Sequence, residues 1–172
     1  MFWLIILKAL YFFLPAYFAN MAPVLLKWIP LPNKPIQEKI LGANKTWRGL
    51  FLGIGLGTLV FYLQKLAYQA GFTSLALIDY DGFSILLGIL LGSGALLGDL
   101  IKSYFKRKRK IKPGQRWMPW DQLDFVLGGL ILGMLVYVPP PEIVLVLLVI
   151  SPFLHILFNH LGYWLRIRDS KW

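Results

Sequence analysis

Long apolar stretches dominate this chain, and each approaches the length that crosses a bilayer. A membrane helix needs about 20 mainly apolar residues, because the hydrocarbon core is roughly 30 Å thick and a helix rises about 1.5 Å per residue. Five such stretches occur, at residues 1–26, 47–67, 83–100, 121–138 and 142–164, and they take up most of the 172 residues. With no water in the hydrocarbon to bond the backbone, runs of this length satisfy it as helices. The expected fold is therefore an all-α integral membrane protein. It is a single domain over residues 1–172, a bundle of five transmembrane helices with a polar site on the cytoplasmic side. The composition agrees, since 58% of the residues are apolar, against roughly 45–50% in soluble domains.

The N-terminal run Met1–Phe13 has no basic leader before it and is too long for a cleaved signal, so it reads as a retained first helix. Pro15 and Pro23 interrupt the first span, which membrane helices tolerate when neighbours satisfy the freed carbonyls. The run Pro139-Pro140-Pro141 ends the fourth span, since proline cannot continue a helix. Glycines recur at four-residue spacing, as Gly49, Gly53 and Gly57, Gly88 and Gly92, and Gly94 and Gly98. Such ridges let helices approach closely in lipid. Gly53-x-Gly55-x-Gly57 does not follow a phosphate-loop pattern.

Topology follows from the basic residues. The first connection and its edges carry Lys27, Lys34, Lys39, Lys45 and Arg48. The third carries Lys102, Lys106, Arg107, Lys108, Arg109, Lys110, Lys112 and Arg116, and the tail carries Arg166, Arg168 and Lys171. Five spans put these three segments on one side, and the positive-inside rule makes that side cytoplasmic. The N-terminus is then outside and the C-terminus inside. Lys8 and Lys65 lie towards the far face.

The absence of cysteine excludes a disulfide framework, a thiolate zinc site and a cysteine nucleophile. His155 and His160 sit in the last span, where packing is the commoner role for a polar group than metal binding. No aromatic stacking module accompanies the basic run, so nucleic acid is not an expected partner.

The acidic residues Glu38, Asp99, Asp121, Asp124 and Asp169 stand out, the middle three most. Ionisable groups at the ends of spans are costly and are usually paired or functional. Asp121 and Asp124 share one helix face, and like charges that close favour a shared cation. Asp99 joins them if the third and fourth spans pack antiparallel. Carboxylates with substrate phosphates are the ligands Mg²⁺ prefers; the simpler reading of Asp121 is an N-cap. Lys102, Ser103 and Lys106 follow Asp99 on one helix stripe, which suits a metal–polyphosphate site, whereas Lys108 to Lys110 read as topology signal or as a headgroup patch. On the same side Asn44-Lys45-Thr46-Trp47-Arg48 opens the second span. There Asn44 or Thr46 can cap the helix, and Lys45 and Arg48 can meet an anion. Asn20 is a weaker candidate for the same site.

The strings Gly42-Ala-Asn-Lys-Thr-Trp-Arg-Gly49, Gly98-Asp-Leu-Ile-Lys-Ser-Tyr-Phe-Lys-Arg107 and Pro119-Trp-Asp-Gln-Leu-Asp-Phe125 resemble those of the archaeal CDP-archaeol synthases, over essentially the whole chain. The chain is also similar to the larger phosphatidate cytidylyltransferases, whose Ser, Lys-Arg and paired Asp match Ser103, Lys106, Arg107, Asp121 and Asp124. Gln122 stands where that second family has Arg, and its His-Gly-Gly is missing here, which favours the archaeal lipid family. The resemblance implies a Mg²⁺-dependent cytidylyltransferase that joins CTP to an isoprenoid glycerol phosphate lipid with release of pyrophosphate. It implies that Asp121 and Asp124, with Asp99, hold Mg²⁺. It further implies that Lys45, Arg48, Lys102, Lys106 and Arg107 hold phosphates and that Asn44, Thr46 and Ser103 donate or accept hydrogen bonds there. Asp99, Asp121, Asp124 and Lys106 would form the catalytic group.

Two other classes compete. A CDP-alcohol phosphotransferase would use carboxylates at the membrane boundary but needs several spaced along one helix with a Gly-rich stretch, and this chain has only Asp121-x-x-Asp124 there. A transporter would need charges deep within the spans, which are nearly charge-free.

Overall fold

A computed structural model describes residues 2–112 and 115–166. Arg168, Asp169 and Lys171 lie outside the described residues. The chain forms helices α1 (Phe2–Leu25), α2 (Glu38–Leu41), α3 (Trp47–Gln69), α4 (Leu86–Lys108), α5 (Trp120–Gly133) and α6 (Pro141–Trp164), with a 3₁₀ turn at Tyr80–Gly82. Helices α1, α3, α4 and α6 are long and apolar enough to cross a membrane.

Two boundaries differ from expectation. The third stretch does not stop at Leu100, because α4 continues to Lys108 and carries the site residues on an unbroken helix. The fourth stops early. Helix α5 has 14 residues, a rise of about 21 Å, and ends at Gly133 rather than at the prolines. There the backbone tightens, with Leu135 bonding the Leu132 carbonyl and Val136 and Tyr137 bonding that of Gly133. Tyr137 then turns its ring against Phe12 and Phe83, each 5.6 Å away between centroids. The triple proline instead starts α6, with Pro141 at its first position, where a missing N–H costs nothing.

The glycines act as packing surfaces. A Cβ at Gly94 would strike the Gly128 backbone, and one at Gly98 would strike that of Asp124. Helices α4 and α5 thus lie backbone against backbone, antiparallel. Gly53 and Gly57 do the same for α3 beneath the carbonyls of Ala19 and Pro15 of α1, and Gly92 approaches both Gly57 and Ala19. The core between the helices is aromatic and aliphatic, with Phe12, Phe13, Phe61, Leu87, Leu91, Phe125 and Leu147 almost fully buried. Outward-facing apolar side chains such as Phe51 and Phe153 are 66% and 68% exposed, the exterior expected against lipid.

The end away from the site is closed by the loop after α3. Tyr80 is fully buried there against Tyr11, Phe61 and Tyr68, and burial pushes its phenol well above the usual range. Lys65 donates to the carbonyls of Tyr80 (3.3 Å), Asp81 (3.0 Å) and Phe83 (3.0 Å). That agrees with its expected position at the far face and makes it a loop clamp. At the opposite end, the C-termini of α1, α4 and α6 and the N-termini of α3 and α5 gather around one cavity.

Candidate active site

The first wall of the cavity is built by the connection between α1 and α3. Helix α2 ends at Gly42, whose φ of 91° belongs to the region that glycine adopts without strain. The chain then doubles back, with Ile36 N–H bonding the Lys45 carbonyl at 2.8 Å and Trp47 N–H bonding that of Lys34 at 3.1 Å. Thr46, not Asn44, caps α3, its hydroxyl accepting from Gly49 N–H at 3.2 Å. This fixes Lys45 just ahead of the helix, where its ammonium meets Asp99 Oδ2. Arg48, one turn on, donates to the carbonyls of Ile29 (3.3 Å) and Leu31 (3.4 Å) and so ties the connection down while lining the cavity. Asn44 is exposed on the cavity rim.

The second wall is the α4–α5 pair. Close packing at Gly98 brings the Asp124 backbone onto α4 one residue before Asp99. Lys102 Nζ lies 2.9 Å from Asp99 Oδ1, 2.8 Å from Asp124 Oδ2 and 3.5 Å from Asp121 Oδ1. Lys106 Nζ lies 2.9 Å from Asp121 Oδ1 and 2.6 Å from the Gln115 carbonyl. Asp121 also accepts from Trp117 N–H at 2.6 Å. It therefore does not cap α5, whose N-cap is Pro119. Ser103 spends its hydroxyl on the Asp99 carbonyl, at 2.7 Å.

The three aspartates thus converge, with lysine ammoniums between them. Among the described residues no three carboxylate or imidazole groups are arranged to share one ion directly. The positive charge at their meeting point is Lys102. Carboxylate oxygens are the protein donors that Mg²⁺ takes, one or two at a time beside phosphate oxygens and water, and here the three carboxylates are gathered on an ammonium. The lysines offset the charge of the aspartates, so the cluster is nearly neutral as it stands.

The cavity measures about 930 Å³. Its polar wall holds Lys45, Thr46, Arg48, Asp99, Lys102, Ser103, Lys106, Arg107 and Asp121, and its apolar wall includes Met21, Val24, Leu52, Leu96, Phe125 and Phe158. Every residue expected at the site lines it except Asp124, which sits behind Lys102 with only 5% of its side chain exposed. Asn20 lines it as well. Among the described residues, the buried Nε of Arg107 has no hydrogen-bond partner, nor does Oε1 of Gln122.

Gln115, Gln122 and His155 also line the wall, beyond the residues that the sequence singles out for the site. Gln122 carried a signal, as a polar residue beside Asp121 on the helix face that continues into the buried Phe125 and Val126. His155 packs its ring against Phe125 at 5.7 Å, and His160 bonds the Ile156 carbonyl at 2.8 Å and packs on Trp164.

A family model described as "CarS-like: CDP-archaeol synthase" matches residues 2–172. A CDP-archaeol synthase of Pyrococcus furiosus is 36% identical over 97% of this chain and 98% of its own length. One from Methanocaldococcus jannaschii is 32% identical over the full length of both. A solved structure, described as giving "Structural insight into an intramembrane enzyme for archaeal membrane lipids biosynthesis", superposes with a TM-score of 0.70 at 29% identity, covering 90% of this chain and 94% of that one.

Proposed function

Since this chain belongs to the CDP-archaeol synthase family, we propose that its cavity joins CTP to an ether-linked, unsaturated isoprenoid glycerol phosphate. The products are the CDP-lipid and pyrophosphate. The protein is a membrane-embedded nucleotidyltransferase of archaeal lipid synthesis. One observation carries the assignment of the chemistry to this cavity: Asp99, Asp121 and Asp124 meet Lys45, Lys102 and Lys106 on a wall that faces apolar side chains across the same space. A water-soluble triphosphate and a membrane-held phosphate need such a mixed enclosure in order to meet.

In the reaction an oxygen of the lipid phosphate forms a bond to the α-phosphorus of CTP. The bond from that phosphorus to the bridging oxygen breaks, and the electron pair leaves with pyrophosphate. The attacking oxygen is already anionic, so no general base is needed. Phosphoryl transfer of this kind asks for alignment and charge neutralisation. Lys45, Arg48, Lys106 and Arg107 are the groups that hold the phosphates, with Asn44, Thr46 and Ser103 beside them. Asp121, Asp124 and Asp99 would hold Mg²⁺, which supplies neutralisation of the charge that develops on the phosphates. The wall including Met21, Leu52, Leu96 and Phe158 would receive the start of the isoprenoid chains.

Helix α5 is read as the fifth crossing. It runs antiparallel to α4 from Asp99 back towards Phe83, and the turn after Gly133 adds to its short rise. Trp117, just ahead of it, and Trp120, at its first position, suit an interface position. The basic residues gathered at the cavity end support a cytoplasmic site and an external N-terminus.

Purified protein incubated with Mg²⁺, labelled CTP and an ether-linked lipid phosphate is expected to yield CDP-lipid and pyrophosphate. Release of CMP from a supplied CDP-lipid and an alcohol would instead assign the phosphotransferase reaction. Ion flux through liposomes without CTP would assign transport.

A further inference from the structure

Lys102 touches all three aspartates, at 2.9 Å (Asp99), 2.8 Å (Asp124) and 3.5 Å (Asp121). Its side chain is 14% exposed, so the contacts are largely shielded from water. Lys45 also serves Asp99 and Lys106 also serves Asp121. Asp124 has no other cation among the ion pairs of the described residues. Carboxylates brought this close in a dry site repel one another unless a positive charge lies between them. An ammonium fills that position here, at the point where the proposed reaction needs a divalent ion.

We propose that Lys102 is a tethered counter-ion: it holds the aspartate triad together when no divalent ion is bound, and it competes with that ion for the same oxygens. The proposal rests on the Mg²⁺ reading given above. A dication arriving at the triad must draw at least one carboxylate away from the ammonium. The two cations then repel at short range, so the ion alone binds weakly. A triphosphate in the cavity changes the balance, because its oxygens offer the displaced ammonium a new partner on the same wall. Divalent ion and nucleotide therefore assist each other, and the assistance is reciprocal by linkage. Lys102 is in this sense a positioning residue, acting through the aspartates.

A lysine that only grips phosphate makes a different prediction. Its removal would weaken nucleotide binding and leave the affinity for the ion alone unchanged.

The test uses full-length protein in detergent and Mn²⁺ without nucleotide, with free Mn²⁺ followed by electron paramagnetic resonance. Lys102→Met is expected to bind Mn²⁺ roughly tenfold or more tightly than wild type, since a like charge in contact with the ion has been removed. Lys102→Gln should shift in the same direction, and it guards against a Met variant that does not fold. Both variants should melt at a lower temperature than wild type without divalent ion and be raised more than wild type by Mn²⁺. Equal or weaker Mn²⁺ binding by the variants overturns the counter-ion role and leaves the metal site standing. No Mn²⁺ binding by any of the proteins, with or without CTP, removes the metal site itself and the counter-ion role with it.

Discussion

Lys106 donates to both carboxylate oxygens of Asp121, at 2.9 and 3.0 Å, across fifteen residues of sequence. The same ammonium donates to the Gln115 carbonyl at 2.6 Å, and the pair is what fastens the α4–α5 connection to the site. Lys106 is only 8% exposed, so its charge acts on the cavity with little screening. Lys106→Met is expected to lower kcat/KM for CTP by about two orders of magnitude, in line with the loss of one preorganised positive donor. Steady-state pyrophosphate release, with helicity checked by circular dichroism, measures it. A folded variant within threefold of wild type would remove Lys106 from the catalytic group.

Asp124 is the least exposed of the three aspartates and bonds Lys102 at 2.8 Å. Asp124→Ala is expected to abolish CTP turnover while the protein remains folded in detergent. Partial retention of activity by Asp124→Glu would fit a ligand or charge role, since the carboxylate remains. Near-normal turnover by Asp124→Ala with Mg²⁺ present would exclude the proposed metal site.

The α4–α5 crossing makes a prediction about stability. A Cβ at Gly94 would collide with the carbonyl of Gly128, which cannot move without shifting α5. Gly94→Ala should cost about 1–3 kcal/mol through overpacking, seen as a lower melting temperature in detergent, and Gly94→Leu should cost more. At Gly55 nothing among the described residues lies within 4 Å of the same atom, so Gly55→Ala should be neutral or stabilising by up to about 1 kcal/mol. If both alanine variants melt alike, the close contact of the two helices is wrong.

Much of this arrangement was legible in the residues, and what was not has a physical reason. Apolar length marked the helices, since lipid leaves the backbone no other option. Glycine spacing marked their contact faces, and Asp99, Asp121 and Asp124 announced themselves as charges at the ends of apolar runs. The end of α5 carried no such mark. Met134 to Val138 is as apolar as the helix before it, and past the end of the helix Tyr137 packs on Phe12 and Phe83. Lys102 was legible as a neighbour of Asp99 on one helix face. Its contacts with Asp121 and Asp124 depend on how closely two glycine-faced helices approach, which residue spacing along one chain does not encode. Gln115 was silent for a related reason, since its backbone carbonyl is what meets Lys106.

The basic run after Ser103 divides into two parts that activity should distinguish. Arg107 lines the cavity, and its buried Nε has no partner among the described residues. A desolvated donor of that kind is costly until something accepts from it, and a triphosphate oxygen is a suitable acceptor. Arg109 lies beyond the end of α4, with its guanidinium 4.9 Å from the centre of the Trp117 ring, where it serves the connection. Arg107→Ala is therefore expected to raise KM for CTP about tenfold or more, the loss of a charge-assisted hydrogen bond being worth roughly 1.5–3 kcal/mol. Arg109→Ala should change it less than about threefold, as exposed charges do. Both are read from initial rates at saturating lipid phosphate and varied CTP. Equal effects would mean that the run acts on the nucleotide as one diffuse positive patch. In that case both variants should also lose much of their difference from wild type in high salt, where exposed charges are screened.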